Sequence, residues 1–405
     1  MTGYVESSRE PLRPVVQTEA ALEEALDSLA QGSGDVAFDT ERAHGHRYWP
    51  KAYLLQIRRA GSGTWLIDPV AFEHSPRRLG ALVEAVDDAN WIIHAASQDL
   101  PCMQEIGIVP PRVFDTEMAA RLLGKPSASL GSLLESEMGI RLHKAHSADN
   151  WSKRPLPPSW LAYAALDVDY LIDLADVLHH ELDSVGRTEW SLEEDRETLA
   201  RFSAPPTPRP DPWRRLSGVT TLRAPVQLAV ARELWLERDQ IAQRCDRPPT
   251  WILPNNVIVE TASLMSDAVP SKTDLSRVRG LNSNPGRRYL ANWLGALDRV
   301  RALPEQRYPP RRAPQQGLPH PRSWERTNPD AATRWLSVRP AVDALACELG
   351  VLQPSILAPP HALQDVVYHH EKITREDLLE AGIRPWQADF LAPAIAEALG
   401  QPAIG

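Results

Sequence analysis

Apolar and polar positions alternate along the first 200 residues in two rhythms, one of period near 3.6 and one of period 2 or continuous. Leu22, Ala25, Leu26 and Leu29 keep helical spacing, and Thr18 stands where a helix cap is needed. The apolar run 36–38 predicts a short buried strand. Segments 53–57 and 64–67 predict two more, with a glycine turn at 61–63 between them. Three successive strands with short connections suggest antiparallel pairing. A helix at 79–86, a strand at 91–94, a helix at 98–106, a strand at 113–114 and a helix at 117–123 follow. The pattern predicts an α/β domain, a mixed sheet with helices on its faces.

Both rhythms stop at 203–212, SAPPTPRPDP, whose prolines read as a semi-rigid linker. Helical spacing resumes over 227–244, and a second stretch rich in proline and arginine covers 304–321. The expected organisation is a first domain at 1–202, a linker at 203–212, a helical domain at 213–302, an Arg/Pro-rich linker at 303–329 and a second helical domain at 330–405. A faint internal repeat relates the two helical parts: Ile252-Leu253 with Val257, Ile258 and Thr261 parallels Ile356-Leu357 with Ala362, Leu363 and Val366.

The chain's 405 residues exceed one ordinary domain, and 43% hydrophobic with 24% charged residues matches folded soluble proteins. Cys102, Cys245 and Cys347 lack paired spacing, which suits a reducing cytoplasm and predicts buried free thiols. The N-terminus shows no cationic segment followed by an apolar one, and no run approaches the length of a membrane span. The expected location is cytoplasmic, with no membrane partner. No glycine-rich loop precedes a helix, so no nucleotide cofactor is expected. A net charge of -9 conceals a local excess: residues 277–326 carry 11 Arg against Asp298, Glu305 and Glu325, 11 - 3 = +8. A polyanion could therefore meet a basic face on an acidic protein.

Asp39 and Glu41 follow the apolar run at 36–38, and residues two apart on a strand share a face. Two adjacent carboxylates repel unless a cation intervenes, and hard divalent ions take oxygen ligands. Alone, Asp-x-Glu also fits a solvated strand end. Asp99 ends the segment WIIHAASQD, where it could serve a site at the sheet edge or cap the next helix. Tyr163 and Asp167 lie four apart with helical spacing, so a phenol and a carboxylate share one face. Asp169 and Tyr170 fall on other faces and are assigned to surface and core. His143 and His146 have no zinc-spaced partners and read as loop residues, with Lys144 or His146 touching a substrate as the alternative.

The blocks DTE, HAASQD, FDTEMAARLLG and WSKRPLPPSWLAYAALDVDYL together resemble bacterial ribonuclease D, in the tyrosine branch of the DEDD exonucleases. The resemblance covers about the first 200 residues and implies a ribonuclease H-like fold. It further implies that Asp39, Glu41 and Asp167 hold one divalent metal ion and that Asp39 bridges to a second, supported by Asp99, with Mg²⁺ or Mn²⁺ as the two cofactors. Tyr163 would hydrogen-bond the attacking water, and release of nucleoside 5′-monophosphates would follow. A related branch carries His five residues before the last Asp; Ala162 occupies that position here. Gln98 stands where relatives commonly have an acid. Asp115 reads as a helix cap.

The segments LAVARELWLERDQIAQRCDRPPTWILPNNVIVETA and DLSRVRGLNSNPGRRYL resemble the helical HRDC module, which in that family helps bind nucleic acid, and the faint repeat suggests that 330–405 is a second HRDC-like domain. Arg287, Arg288, Arg311 and Arg312 are the candidate phosphate contacts, against the alternative of a solvated basic face. Trp251 and Trp293 could stack on bases, though core packing is the expected role of both. The resemblance implies an exoribonuclease acting on RNA 3′ ends, tRNA precursors and other structured RNAs among them. A DNA-directed exonuclease and a catalytically silent RNA-binding protein are the alternatives. The oligomeric state is not encoded in any feature of the sequence.

Overall fold

The computed structural model of the chain describes residues 4–143, 146, 148–202, 209–265, 267–312 and 317–401. Lys144 and most of the 203–212 linker, at 203–208, lie outside the described residues. Two compact units emerge: one comprises 1–42, 51–205 and 317–405, the other 43–50 and 206–316.

The first unit is built on a five-stranded sheet of order β3-β2-β1-β4-β5. Its strands are β1 (Ser33–Arg42), β2 (Ala52–Ala60), β3 (Gly63–Ile67), β4 (Trp91–Ile93) and β5 (Val113–Asp115). β1 pairs antiparallel with β2 and parallel with β4; β2–β3 is antiparallel and β4–β5 parallel. This is the mixed sheet expected. β1 nevertheless extends well past the apolar run 36–38, because Asp39, Thr40 and Glu41 keep their ladder to Gln56, Leu55 and Leu54 on β2.

Helices follow as α1 (Glu19–Gln31), α2 (Leu100–Glu105), α3 (Thr116–Leu122), α4 (Pro158–Asp169), α5 (Leu171–Ser184) and α6 (Thr188–Phe202). Thr18 caps α1 as its sequence predicted, accepting the Ala21 amide at 3.3 Å, and Leu22, Ala25, Leu26 and Leu29 face inward. Strand alternation sends Val36, Phe38, Ile57 and Trp91 to the core shared with α1 and α2. Ala37, Ile92 and Phe114 go to the opposite face, where α3 and α5 cover them. Each fully buried large side chain contributes about 1.5–3 kcal/mol. The sheet is thus clamped from both sides, and its strand ends are held in register.

The C-terminal helices of this unit share the second of these cores. Trp190 of α6 stacks on Trp386, with ring centroids 4.4 Å apart. Buried Glu194 of α6 accepts from Trp386 Nε1 at 3.1 Å and Gln387 Nε2 at 3.2 Å, and pairs with Arg384 at 3.1 Å. Burial raises its carboxyl, which Arg384 and Trp386 partly offset.

The second unit is helical, centred on α7 (Pro225–Cys245) and α8 (Leu290–Ala302). Trp213, Leu234, Ile258 and Trp293 fill its core. Tyr48 joins it: its hydroxyl lies 3.1 Å from Asp239, and the Tyr48 and Trp49 amides both donate to Asp246 Oδ1 at 3.1 Å. Two expectations change. Trp293 is buried but Trp251 is 53% exposed, since the short helix that carries it turns the indole outward. Cys102 is buried, whereas Cys245 and Cys347 are exposed. No helix among the described residues is long and apolar enough to cross a membrane.

Candidate active site

β1 outruns β4: the last paired residues are Phe38 and Ile93, so Asp39, Thr40 and Glu41 project beyond the parallel neighbour. That leaves room at the strand end for a loop and a helix to arrive. Asp39 and Glu41 point to the face covered by α4, which packs across β1, β2 and β3. Asp167 comes down on α4, one turn after Tyr163. Carboxylate oxygens of Asp39, Glu41 and Asp167 all lie within 4.8 Å of one another. Three of the four candidate carboxylates thus lie together in the structure.

Asp99 stands outside that trio and is held differently. It begins α2 but makes no side-chain cap bond. Its Oδ1 instead accepts the Thr40 hydroxyl at 2.6 Å, and Arg42 Nη2 lies 3.9 Å away. The capping alternative is therefore not realised. Arg42 also reaches the carbonyl and the side-chain oxygen of Gln98, which anchors the guanidinium without the acid common in relatives.

The loop that delivers Asp99 is seated by Asp115. Ala95 sits at φ 61, a left-handed conformation unusual for a residue with a Cβ. The Asp115 carboxylate accepts the Ala95 and Ala96 amides, each at 2.9 Å, and also the Glu117 and Met118 amides at the start of α3. The cap read from the sequence is present, and the same carboxylate fixes the turn behind Asp99.

Asp169, expected on the surface, is buried. The Arg9 amide donates to it at 2.7 Å, and Arg58 of β2 pairs with it at 3.4 Å. Sequence spacing on α4 could not reveal partners 160 and 111 positions away. Tyr170 is half-buried under the Arg9 guanidinium, 4.5 Å from its ring centre. His146 bonds Asp149 at 2.6 Å and sets its ring edge-on to Tyr163, with centroids 5.9 Å apart, so it belongs to the site's rim.

The electrostatics are those of crowded acids. Burial, reinforced by Asp99 and Asp167, holds the Asp39 carboxyl well above the usual range. Glu41 is pushed up to about 10 by burial and then by Asp39, Asp167 and Asp99. Asp167 rises to about 7 through burial and Asp99. Asp99 rises only to about 6, because Arg42 and the Thr40 hydroxyl oppose its burial. Burial and then the three carboxylates raise the Tyr163 phenol. Among the described residues no Lys or Arg forms an ion pair with Asp39, Glu41 or Asp167. Three converging carboxylates with no ion pair of their own among the described residues fit a hard divalent ion.

In the second unit Arg287, Arg288, Arg311 and Arg312 are all exposed, and none forms an ion pair among the described residues. Sequence reasoning missed Thr40, Arg42 and Gln56 as members of the site's surroundings. Their positions within and opposite the Asp-x-Glu strand were the available signal.

A carboxylate cluster at the end of the central strand of such a sheet, facing a tyrosine-bearing helix, fits a metal-dependent hydrolase, and the family models that match the chain give its class. Residues 14–183 match the family model described as 3′-5′ exonuclease, 317–399 the one described as 3′ to 5′ exonuclease C-terminal domain, and 227–297 the HRDC domain. The ribonuclease D of Acidiphilium cryptum is 32% identical over 312 residues, 75% of this chain and 76% of that protein. That of Gluconacetobacter diazotrophicus is 32% identical over 282 residues, 68% of each. The chain belongs to the ribonuclease D family and is a 3′-to-5′ exoribonuclease.

Among solved structures, a protein from Bifidobacterium adolescentis superposes with a TM-score of 0.88 at 31% identity, covering 98% of this chain and 99% of that one. Escherichia coli RNase D, described as an exoribonuclease involved in structured RNA processing, shares the fold with a TM-score of 0.68 at 20% identity, over 96% of this chain and 99% of its own.

Proposed function

We propose that Asp39, Glu41, Asp99 and Asp167 hold two divalent ions, Mg²⁺ or Mn²⁺, and that with Tyr163 they remove nucleoside 5′-monophosphates from the 3′ ends of structured RNAs, tRNA precursors included. The convergence of Asp39, Glu41 and Asp167 within 4.8 Å carries this reading. Such ions supply charge stabilisation on the leaving oxygen and acidify the attacking water. The chain's own residues do the rest. Asp39, Glu41 and Asp167 would hold one ion. Asp99, fixed by Thr40, would hold the second. Tyr163, one turn before Asp167 on the same helix, would orient the water by hydrogen bonding through its hydroxyl.

We further place the HRDC domain at 213–302 and a second helical module at 330–405, with exposed Arg287, Arg288, Arg311 and Arg312 as contacts for RNA phosphates. The cytoplasm, where RNA precursors are trimmed, is the expected location. The deciding experiment incubates the full chain with 3′-labelled RNA and DNA oligonucleotides in Mg²⁺, Mn²⁺ or EDTA. Mononucleotide release from RNA in either metal, abolished by EDTA, is expected. Release that persists in EDTA, or from DNA alone, would overturn the reading.

A further inference from the structure

Gln56 lies on β2 directly opposite Asp39 and is fully buried, yet neither Nε2 nor Oε1 has a hydrogen-bond partner among the described residues. Directly opposite residues of an antiparallel pair present their side chains to the same face, with Cβ atoms about 5 Å apart. That face is the one α4 covers, since Arg58, two residues along β2, reaches Asp169 of the same helix. Gln56 therefore lies beside Asp39 on the face covered by the helix bearing Tyr163 and Asp167. Its other cross-strand neighbour, Leu66 of β3, offers no polar side chain.

A leucine or methionine would fill such a place without an orphaned amide, and folded proteins rarely leave both ends of a buried carboxamide unsatisfied. Such a group is tolerated where a function uses it. The acids nearby are acceptors when ionised, and Gln56 supplies two N–H donors and no charge. A carboxylate that gives one oxygen to a cation keeps its second oxygen free for a donor that fixes its orientation.

We propose that Gln56 is a positioning residue of the metal site, donating Nε2–H to the ionised Asp39 carboxylate and fixing its orientation. This rests on the reading of the four acids as metal ligands. Gln56 touches neither substrate nor reacting atoms; it acts through Asp39.

The test uses the full chain and two apolar variants, Gln56→Met, which keeps the unbranched shape, and Gln56→Leu. Thermal unfolding is followed in EDTA and across MnCl₂ and MgCl₂ titrations, beside RNA turnover at each metal concentration. In EDTA the variants should melt at or above the wild-type temperature, because the orphaned amide is gone. Their metal half-saturation should rise about 10–100-fold, the usual cost of losing such an outer partner. kcat should fall at low metal and recover at high metal, with KM for RNA unchanged. Wild-type half-saturation in a folded variant would overturn the role of Gln56 and leave the metal site standing. A wild-type protein whose melting ignores both metals would overturn the metal site, and this inference with it.

Discussion

Replacement of Asp39 by Asn is the sharpest probe of the site, because it removes a charge while keeping shape. Carboxylate oxygens within 4.8 Å, in an effective dielectric near 20, repel by about 3 kcal/mol per fully ionised pair. Asp39 faces Glu41, Asp167 and Asp99, and burial already keeps these groups partly protonated, so the realised strain is a fraction of that sum. Relief of about 1–3 kcal/mol is expected in the metal-free protein. At about 2–4 °C per kcal/mol for a domain of a couple of hundred residues, Asp39→Asn should melt several degrees above wild type in EDTA.

Metal reverses the order. A ligand at 100 times its Kd stabilises by about 2.7 kcal/mol, and the wild type should gain on that scale while Asp39→Asn gains little. Loss of about 4 kcal/mol of transition-state stabilisation corresponds to about a 10³-fold drop in mononucleotide release. Differential scanning calorimetry with and without Mn²⁺, beside the RNA release assay, reads both effects. A variant that melts below wild type in EDTA yet keeps its metal-induced shift and its turnover would refute the reasoning. Such an outcome would mean that the Asp39 carboxylate is structural, neither repelled by its neighbours nor used as a ligand.

Four other outcomes follow from the same geometry. Unfolded carboxylates ionise near 3.8 and 4.5, whereas folded Asp99 and Asp167 hold protons to about 6 and about 7. Between those limits the native state binds more protons than the unfolded state, so metal-free stability should fall as pH rises from 5 to 8, and urea melts of Asp167→Asn should show a shallower slope. Tyr163→Phe should lower kcat about 10²-fold with little change in KM, since only a water-orienting hydroxyl is lost; an unchanged kcat would remove Tyr163 from the mechanism. Asp115→Ala should destabilise by about 3 kcal/mol, seen in denaturant melts, and should cut turnover at low metal, because the amides of Ala95 and Ala96 lose their acceptor along with those that begin α3. Replacing Arg287, Arg288, Arg311 and Arg312 together by Gln should flatten the slope of log binding constant against log salt by about 3 for single-stranded RNA, and an unchanged slope would return them to a solvated face.

What the sequence discloses divides by the range of the interaction that decides it. Thr18 as a cap, Asp39 and Glu41 on one strand face, and Tyr163 one turn before Asp167 follow from spacing alone, since strand and helix periodicities are local. The hold of Thr40 and Arg42 on Asp99 was not legible, because it joins the end of one strand to a loop far along the chain. Asp169 read as surface for the same reason: its burial depends on Arg9 and Arg58. Asp115 looked like any helix cap, and only the folded chain brings Ala95 and Ala96 to its free lone pairs. Gln56 stands in an apolar strand, where a single amide announces nothing until Asp39 is found across from it.

These distant partners explain how an acid cluster that opposes folding is held together. Repulsion among Asp39, Glu41 and Asp167 pushes α4 away from the end of β1, and nothing within the cluster resists it. Resistance comes from Asp169, two residues beyond Asp167, whose buried carboxylate is gripped by the Arg9 amide, the Arg9 side chain and Arg58 of β2. α4 is thereby tied to the strand next to β1, while Ala164, Ala165 and Val168 are buried beneath it. On the other side Thr40 and Arg42, neighbours of the two strand acids, hold Asp99 by a hydroxyl and a positive charge. Asp167 is thus restrained through Asp169 and Asp99 through the neighbours of Asp39 and Glu41, so the carboxylates stay close and keep their free oxygens for a cation.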